Sequence, residues 1–267
     1  MSVFARAAAF PEPWGKHLLC RRYVAVYFTQ VTVSKRDEAE RRTNYCWAFG
    51  VLSDGQSESL GAWSQDPLGA INWGSALVEL KNRGVERIRF AISGDLTNFR
   101  EDLRARFPGA LALPSFARLL DRSVSLVAAR HRAPVGQHLR DIVRAESGLA
   151  ALAVLAEFAS SRWGDRYPAI AADWRIALEQ GWALWSMTPT RRQQVLFGDA
   201  RAFATNRLLR RALDRHGGFS DGEAAASFAR ATLSRALRRL DGSQSVGSAE
   251  HNYQHERSSP KIAALGI

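Results

Sequence analysis

The sequence predicts a mixed α/β fold: a five-stranded sheet followed by a long helical run. Three observations predict it. Three segments rich in β-branched and aromatic residues follow one another between turns, as a meander does. Two stretches with helical spacing then alternate with two further strands. From Ser115 to Leu240 only helical spacing remains. A meander followed by helix, strand, helix, strand gives an antiparallel 3-2-1 arrangement with parallel strands on the far side of strand one.

Residues 1–22 read as irregular lead-in. Tyr23 to Val33 is the first strand, and the charged stretch from Ser34 to Thr43 turns the chain. Asn44 to Leu52 is the second strand. Ser53-Asp54-Gly55-Gln56 is a hairpin turn, because Asp-Gly supplies the positive φ that a tight hairpin needs. Ser57 to Trp63 returns as the third. Leu68 to Arg83 carries Ile71, Leu77 and Leu80 at helical spacing and stops at Gly84. Val85 to Ser93 is a strand with Ile88, Phe90 and Ile92 on one face, Leu96 to Phe107 a helix ended by Pro108, and Leu111 to Leu113 a short fifth strand. This order fits an RNase H-like sheet. The helical candidates are 115–130, 135–146, 147–162, 167–185, 191–197, 200–215 and 223–240, punctuated by Pro134, Gly164, Pro168, Pro189 and Gly217-Gly218. The Ser-, His- and Gly-rich tail, 242–267, reads as disordered. The main domain is therefore 23–241, with a helical insertion at about 131–198.

Charge bounds the partners. The chain has 37 basic and 26 acidic residues, a net charge of +11. That balance favours a polyanionic partner, most simply nucleic acid. Cys20 and Cys46 lack metal-type spacing and read as buried or half-buried thiols of a reducing compartment. No apolar run approaches membrane-spanning length and no signal peptide is evident, so the expected location is the cytoplasm, with no membrane partner. No Gly-rich phosphate loop and no Ser/His/Asp motif is present. His251 and His255 stand at i, i+4 in the tail and are read as incidental.

Several blocks carry a resemblance. They are Gly50-Val51-Leu52-Ser53-Asp54-Gly55 with Leu60-Gly61-Ala62-Trp63, Trp73 with Leu80-Lys81-Asn82-Arg83-Gly84-Val85, and Phe107-Pro108-Gly109-Ala110. Trp163-Gly164, Tyr167-Pro168 and Trp174 follow, then Asn206-Arg207, Arg210-Arg211 and Gly217-Gly218-Phe219. In order and spacing, the stretch from Tyr23 to about Leu240 resembles the catalytic domain of mutator-type bacterial insertion-sequence transposases. The resemblance implies an RNase H-like fold, an Asp-Asp-Glu triad and two divalent metal ions. In-line phosphoryl transfer needs cations at both the attacking and the leaving oxygen, and Mg²⁺ takes carboxylate oxygens.

Carried over by position, the first Asp falls on Tyr27, the second on Gly94 and the Glu on Phe203. The family's Cys-x-x-His pair falls on Ser115 and Arg118. None of the three acid positions holds a carboxylate, so no catalytic residue and no metal ligand is expected. Asp95, one residue after Gly94, is the sole remnant, and an N-cap role for it outweighs a metal role. Asp199 reads the same way, as a cap or first-turn residue. Arg207, Arg210, Arg211 and Arg215 recur at helical spacing as a DNA-contacting face, with Leu208, Leu209 and Ala212 turned inward. They lie in a segment, 201–239, with nine Arg and three acids, net +6. Trp163, Trp174, Trp182 and Trp185 read as packing rather than base-stacking residues.

The resulting expectation is a degenerate transposase domain that binds DNA without cutting it and needs no cofactor. Two alternatives stand beside it. One is an active transposase using Mg²⁺ at a rearranged site around Asp95. The other is an interaction scaffold or regulator of a full-length transposase. The resemblance also implies pairing, as a homodimer or with such a transposase. With some 22 residues ahead of the first strand, sequence-specific recognition of terminal repeats is expected to be absent unless another chain supplies it.

Overall fold

The computed structural model describes residues 18–34, 42–65, 73–216, 227–228, 231–233 and 235–236. The charged turn, the onset of the first helix, Gly217-Gly218, most of 223–240, the tail and its two histidines lie outside the described residues.

The sheet has the expected topology. Strands β1 (Arg22–Ser34), β2 (Arg42–Val51) and β3 (Ser57–Gln65) form the antiparallel meander, and β4 (Arg87–Ser93) and β5 (Leu111–Pro114) add in parallel to the other edge of β1. The order is β3-β2-β1-β4-β5. The β2–β3 hairpin turns where Asp-Gly required: Gly55 has φ 85°, the Leu52 N–H donates to the Gln56 carbonyl at 2.9 Å, and Asp54 accepts from the Gln56 N–H.

Helices α1 (Trp73–Asn82) and α2 (Phe99–Arg106) cover one face of the sheet. Gly84 ends α1 at φ 98°, with the Val85 N–H reaching back to the Leu80 carbonyl and the Gly84 N–H to the Lys81 carbonyl. That is the Schellman arrangement, and a left-handed residue is what makes it affordable. The alternation along β1 then splits the core. Val26 and Phe28 pack under α1 and α2 against Trp73, Leu77, Leu80 and Phe99. Ala25, Tyr27 and Val31 face the other way. Phe90 and Ile92 share that second face, but Ile88 does not: paired with Tyr23 at the start of the strand, it joins the α1/α2 layer.

The second face is covered by the helices that follow β5: α3 (Phe116–Ser125), α4 (Arg132–Arg144), α5 (Gly148–Ser160), α6 (Arg162–Arg166), α7 (Pro168–Gln180) and α8 (Pro189–His216). Several boundaries differ from those expected: α2 begins at Phe99 rather than Leu96, and α3 ends at Ser125 rather than Arg130, with a separate 3-10 turn at Ala129–His131. Helix α7 ends at Gln180 rather than Trp185: Gly181 caps it with its N–H on the Ala177 carbonyl, and Trp182–Leu184 follow as a 3-10 turn; a Cβ at Gly181 would lie 2.9–3.0 Å from Phe116 and that carbonyl. The helices expected at 191–197 and 200–215 are one 28-residue helix. Gly198 does not break it, and its reason for being glycine is tertiary.

Of the four tryptophans read as packing, Trp163 and Trp174 are buried and Trp185 donates its indole N–H to the Ala145 carbonyl. Trp182 is 44% exposed, and its six-membered ring lies against Gly148. Cys46 is buried, whereas Cys20 is exposed, and both are free thiols. Among the described residues, no helix is long and apolar enough to cross a membrane.

Candidate functional site

The middle of β1 and the carboxyl end of β4 meet the N-terminus of α3 and the middle of α8 around a cleft of about 500 Å³. Tyr27, Gly94 and Phe203, far apart in sequence, all line it, and so do Ser115 and Arg118. The five positions that the resemblance marked as substituted are therefore neighbours in space.

Tyr27 is held from two sides. Its ring stacks on Phe49, its β2 partner, with centroids 4.8 Å apart, and Phe49 stacks in turn on Trp47. Its hydroxyl crosses to α8 and donates to the Val195 carbonyl at 2.8 Å. A Cβ built on Gly198 would lie 2.2 Å from that hydroxyl oxygen. Glycine in a helix interior costs about 1 kcal/mol relative to alanine, and here it is what lets α8 close over the tyrosine. Burial and then the Asp199 charge push the Tyr27 hydroxyl well above its ordinary value, so it stays protonated and donating. The position is a packing site.

Gly94 is roofed by an arginine. A Cβ there would meet the Arg118 side chain at 2.4 Å (Cδ), 2.8 Å (Nη1) and 2.9 Å (Nε). Arg118 itself remains solvent-exposed at the cleft wall. Partial desolvation and then Arg210 pull its guanidinium below the ordinary value, while Asp95 opposes them. Phe203, half-buried, carries the Arg207 guanidinium over its ring at 5.9 Å.

Two carboxylates near these positions have other work. Asp95 is exposed, and its Oδ1 accepts from the Thr97 N–H at 3.0 Å. It is thus an Asx turn before α2 and not that helix's cap: Asn98 takes the N-cap place, with no side-chain bond. Hydrogen bonding to Thr97 is the main cause holding the Asp95 carboxyl below its usual range. Asp199 is buried in the middle of α8 and is not a cap of its own helix. It caps α3 across the cleft: Oδ1 accepts from the Ser115 hydroxyl at 2.6 Å, and Oδ2 from the Ala117 N–H at 2.8 Å. Burial raises its carboxyl to about 6 against these bonds.

Three of the four expected DNA-contacting arginines, Arg207, Arg210 and Arg211, line the cleft. Arg215 does not. It borders a separate groove with Leu208, Ala212 and Phe228, and its Nε donates to the Arg211 carbonyl. Each i+4 step overshoots a full turn by about 40°, so Arg215 has rotated well past Arg207. Leu209 is buried as expected, but Leu208 is 45% exposed. Asn206 anchors the helix beneath the arginines. It accepts from Thr29 Oγ1 and Trp47 Nε1, each at 2.9 Å, and donates to the Gln30 carbonyl at 3.0 Å.

These residues do not fit a pair of divalent cations. Both Asp199 oxygens are committed to α3. The other cleft acids, Asp121 and Asp214, are exposed residues on two different helices. Among the described residues no group of three His, Cys, Asp or Glu gathers as a metal site. Arg118 and Arg122, absent from the sequence-derived contact set, join the α8 arginines in the cleft. The Asp199 cap and the Arg118 roof were missed because both join segments some 80 or 20 residues apart, and no local spacing encodes them. Gly198 did carry a signal: an isolated glycine within a helical pattern usually has a packing reason.

The family model of transposases of the Mutator family matches residues 7–237 of this chain. The transposase for insertion sequence element ISRM3 of Rhizobium meliloti (strain 1021) is 34% identical over 213 residues, covering 79% of this chain and 53% of that protein. The probable transposase for insertion sequence element ISRM3-like of Sinorhizobium fredii (strain NBRC 101917 / NGR234) is 33% identical over the same shares. The chain spans about half the length of these curated relatives.

Proposed function

The chain belongs to the Mutator family of transposases, and from that premise we propose that it is a DNA-binding member with an RNase H-like fold that does not cut DNA with metal ions. The observation that carries the reading is the cleft. Tyr27, Gly94 and Phe203, the positions assigned to the acid triad, line it together without a carboxylate among them. Its wall instead holds Arg118, Arg122, Arg207, Arg210 and Arg211. Cations on that wall suit the phosphate backbone, which is recognised without regard to sequence.

Incubating the protein with duplex DNA and Mg²⁺ or Mn²⁺ tests this directly. The expected outcome is binding that weakens steeply with salt, and no strand cleavage. Metal-dependent cleavage abolished by Asp95→Ala overturns the reading in favour of a rearranged acidic site. Failure to bind DNA at low salt, with recovery of a specific protein partner, favours a scaffold or a regulator of a full-length transposase.

A further inference from the structure

Arg118 is placed where a cation is electrostatically disfavoured. It lies on the first turn of α3, at the positive end of the helix dipole. Arg210 and Arg122 add repulsion, and only Asp95 acts against it. Among the described residues Arg118, Arg207, Arg210 and Arg211 make no ion pair, whereas Arg122 pairs with Asp173 at 3.6 Å. The helix end itself is closed to an incoming anion, because Asp199 already holds the Ala117 N–H. What remains open is the guanidinium on Gly94, a fork with more donors than the protein uses. Such a group is suited to bidentate contact with a phosphate. Gly94 is required for this placement, since any side chain there would displace Arg118.

We infer that Arg118 is a phosphate clamp: its guanidinium takes one phosphodiester of bound DNA at the end of β4, so that binding by this chain is independent of divalent cations. This rests on the reading of the chain as a DNA binder. A phosphate held there is neutralised by a fixed organic cation, and Mg²⁺ acts only as a competing ion.

The test is DNA binding by the full chain, followed by fluorescence anisotropy with a short duplex. Wild type, Arg118→Gln and Arg118→Lys are compared in EDTA and in Mg²⁺ at matched ionic strength. Wild type is expected to bind equally in EDTA. Arg118→Gln is expected to lose about tenfold in affinity, with the slope of log K against log salt reduced by about one. Arg118→Lys keeps the slope and recovers only part of the affinity, because it lacks the fork. Binding that needs Mg²⁺, or that is indifferent to Arg118→Gln, overturns the clamp alone. No binding by wild type at low salt overturns the clamp together with the DNA-binding reading.

Discussion

The middle of α8 and the turn between β4 and α2 each bring one carboxylate beside the same cleft and treat it in opposite ways. Asp199 is buried, with both oxygens spent on α3, and its carboxyl is raised to about 6. Asp95 is exposed, and hydrogen bonds to Thr97 lower its carboxyl. The first is held where solvent cannot help its charge; the second is solvated and closes a local turn. A carboxylate near an acid position is a metal ligand only if its oxygens are free and converge with others, and neither region provides that.

The pH dependence of stability separates the two regions most strongly. A carboxyl raised to about 6 in the fold, from 3.8 in the unfolded chain, binds its proton more tightly when folded. Its stabilising contribution is therefore full below about pH 4 and is lost as pH rises through 6. Asp199→Asn should remove this loss. In urea denaturation, the variant is expected to gain on the order of 2–3 kcal/mol relative to wild type between pH 4 and 7. A variant that gains nothing across that window places Asp199 in solvent-like surroundings. Asp95→Asn has the opposite sign, because a lowered carboxyl loses its contribution as pH falls.

The packing around α8 is the next largest lever. Gly198→Ala forces a Cβ against the Tyr27 hydroxyl and is expected to cost about 1–2 kcal/mol, overpacking outweighing the gain in helix propensity. In a Tyr27→Leu background the same change should become neutral or stabilising. Equal costs in both backgrounds would mean that the tyrosine does not set the glycine.

The smallest effect belongs to the exposed turn. Asp95→Ala removes one Asx-turn bond and should destabilise by about 0.5–1 kcal/mol. DNA affinity should be unchanged or slightly higher, because an anion near Arg118 is removed. A marked loss of affinity would mean that Asp95 orients the site.

Legibility in the sequence followed the range of the interaction. The hairpin at Asp54-Gly55, the glycine stop of α1 and the strand order β3-β2-β1-β4-β5 were all readable, because turn chemistry and alternation are local and leave few topologies. The gathering of Tyr27, Gly94 and Phe203 was readable only through resemblance to a family. The rotation of Arg215 out of the cleft is in principle computable from the helical repeat. Cross-fold contacts such as that of Asp199 with Ser115 were not readable, since a polar residue inside a helical pattern does not name its partner.

By itself, then, the chain's order of residues determined its sheet and its positive charge, each a matter of local propensity or simple composition, and family resemblance added the expectation that three acid positions hold no carboxylate. Tertiary structure alone decided what fills the resulting space: a tyrosine locked under a glycine, an arginine laid over another glycine, and a buried acid turned into a cap. The physical reason is that those outcomes depend on which surfaces meet when the helices close on the sheet, and steric fit and desolvation exist only once they have met.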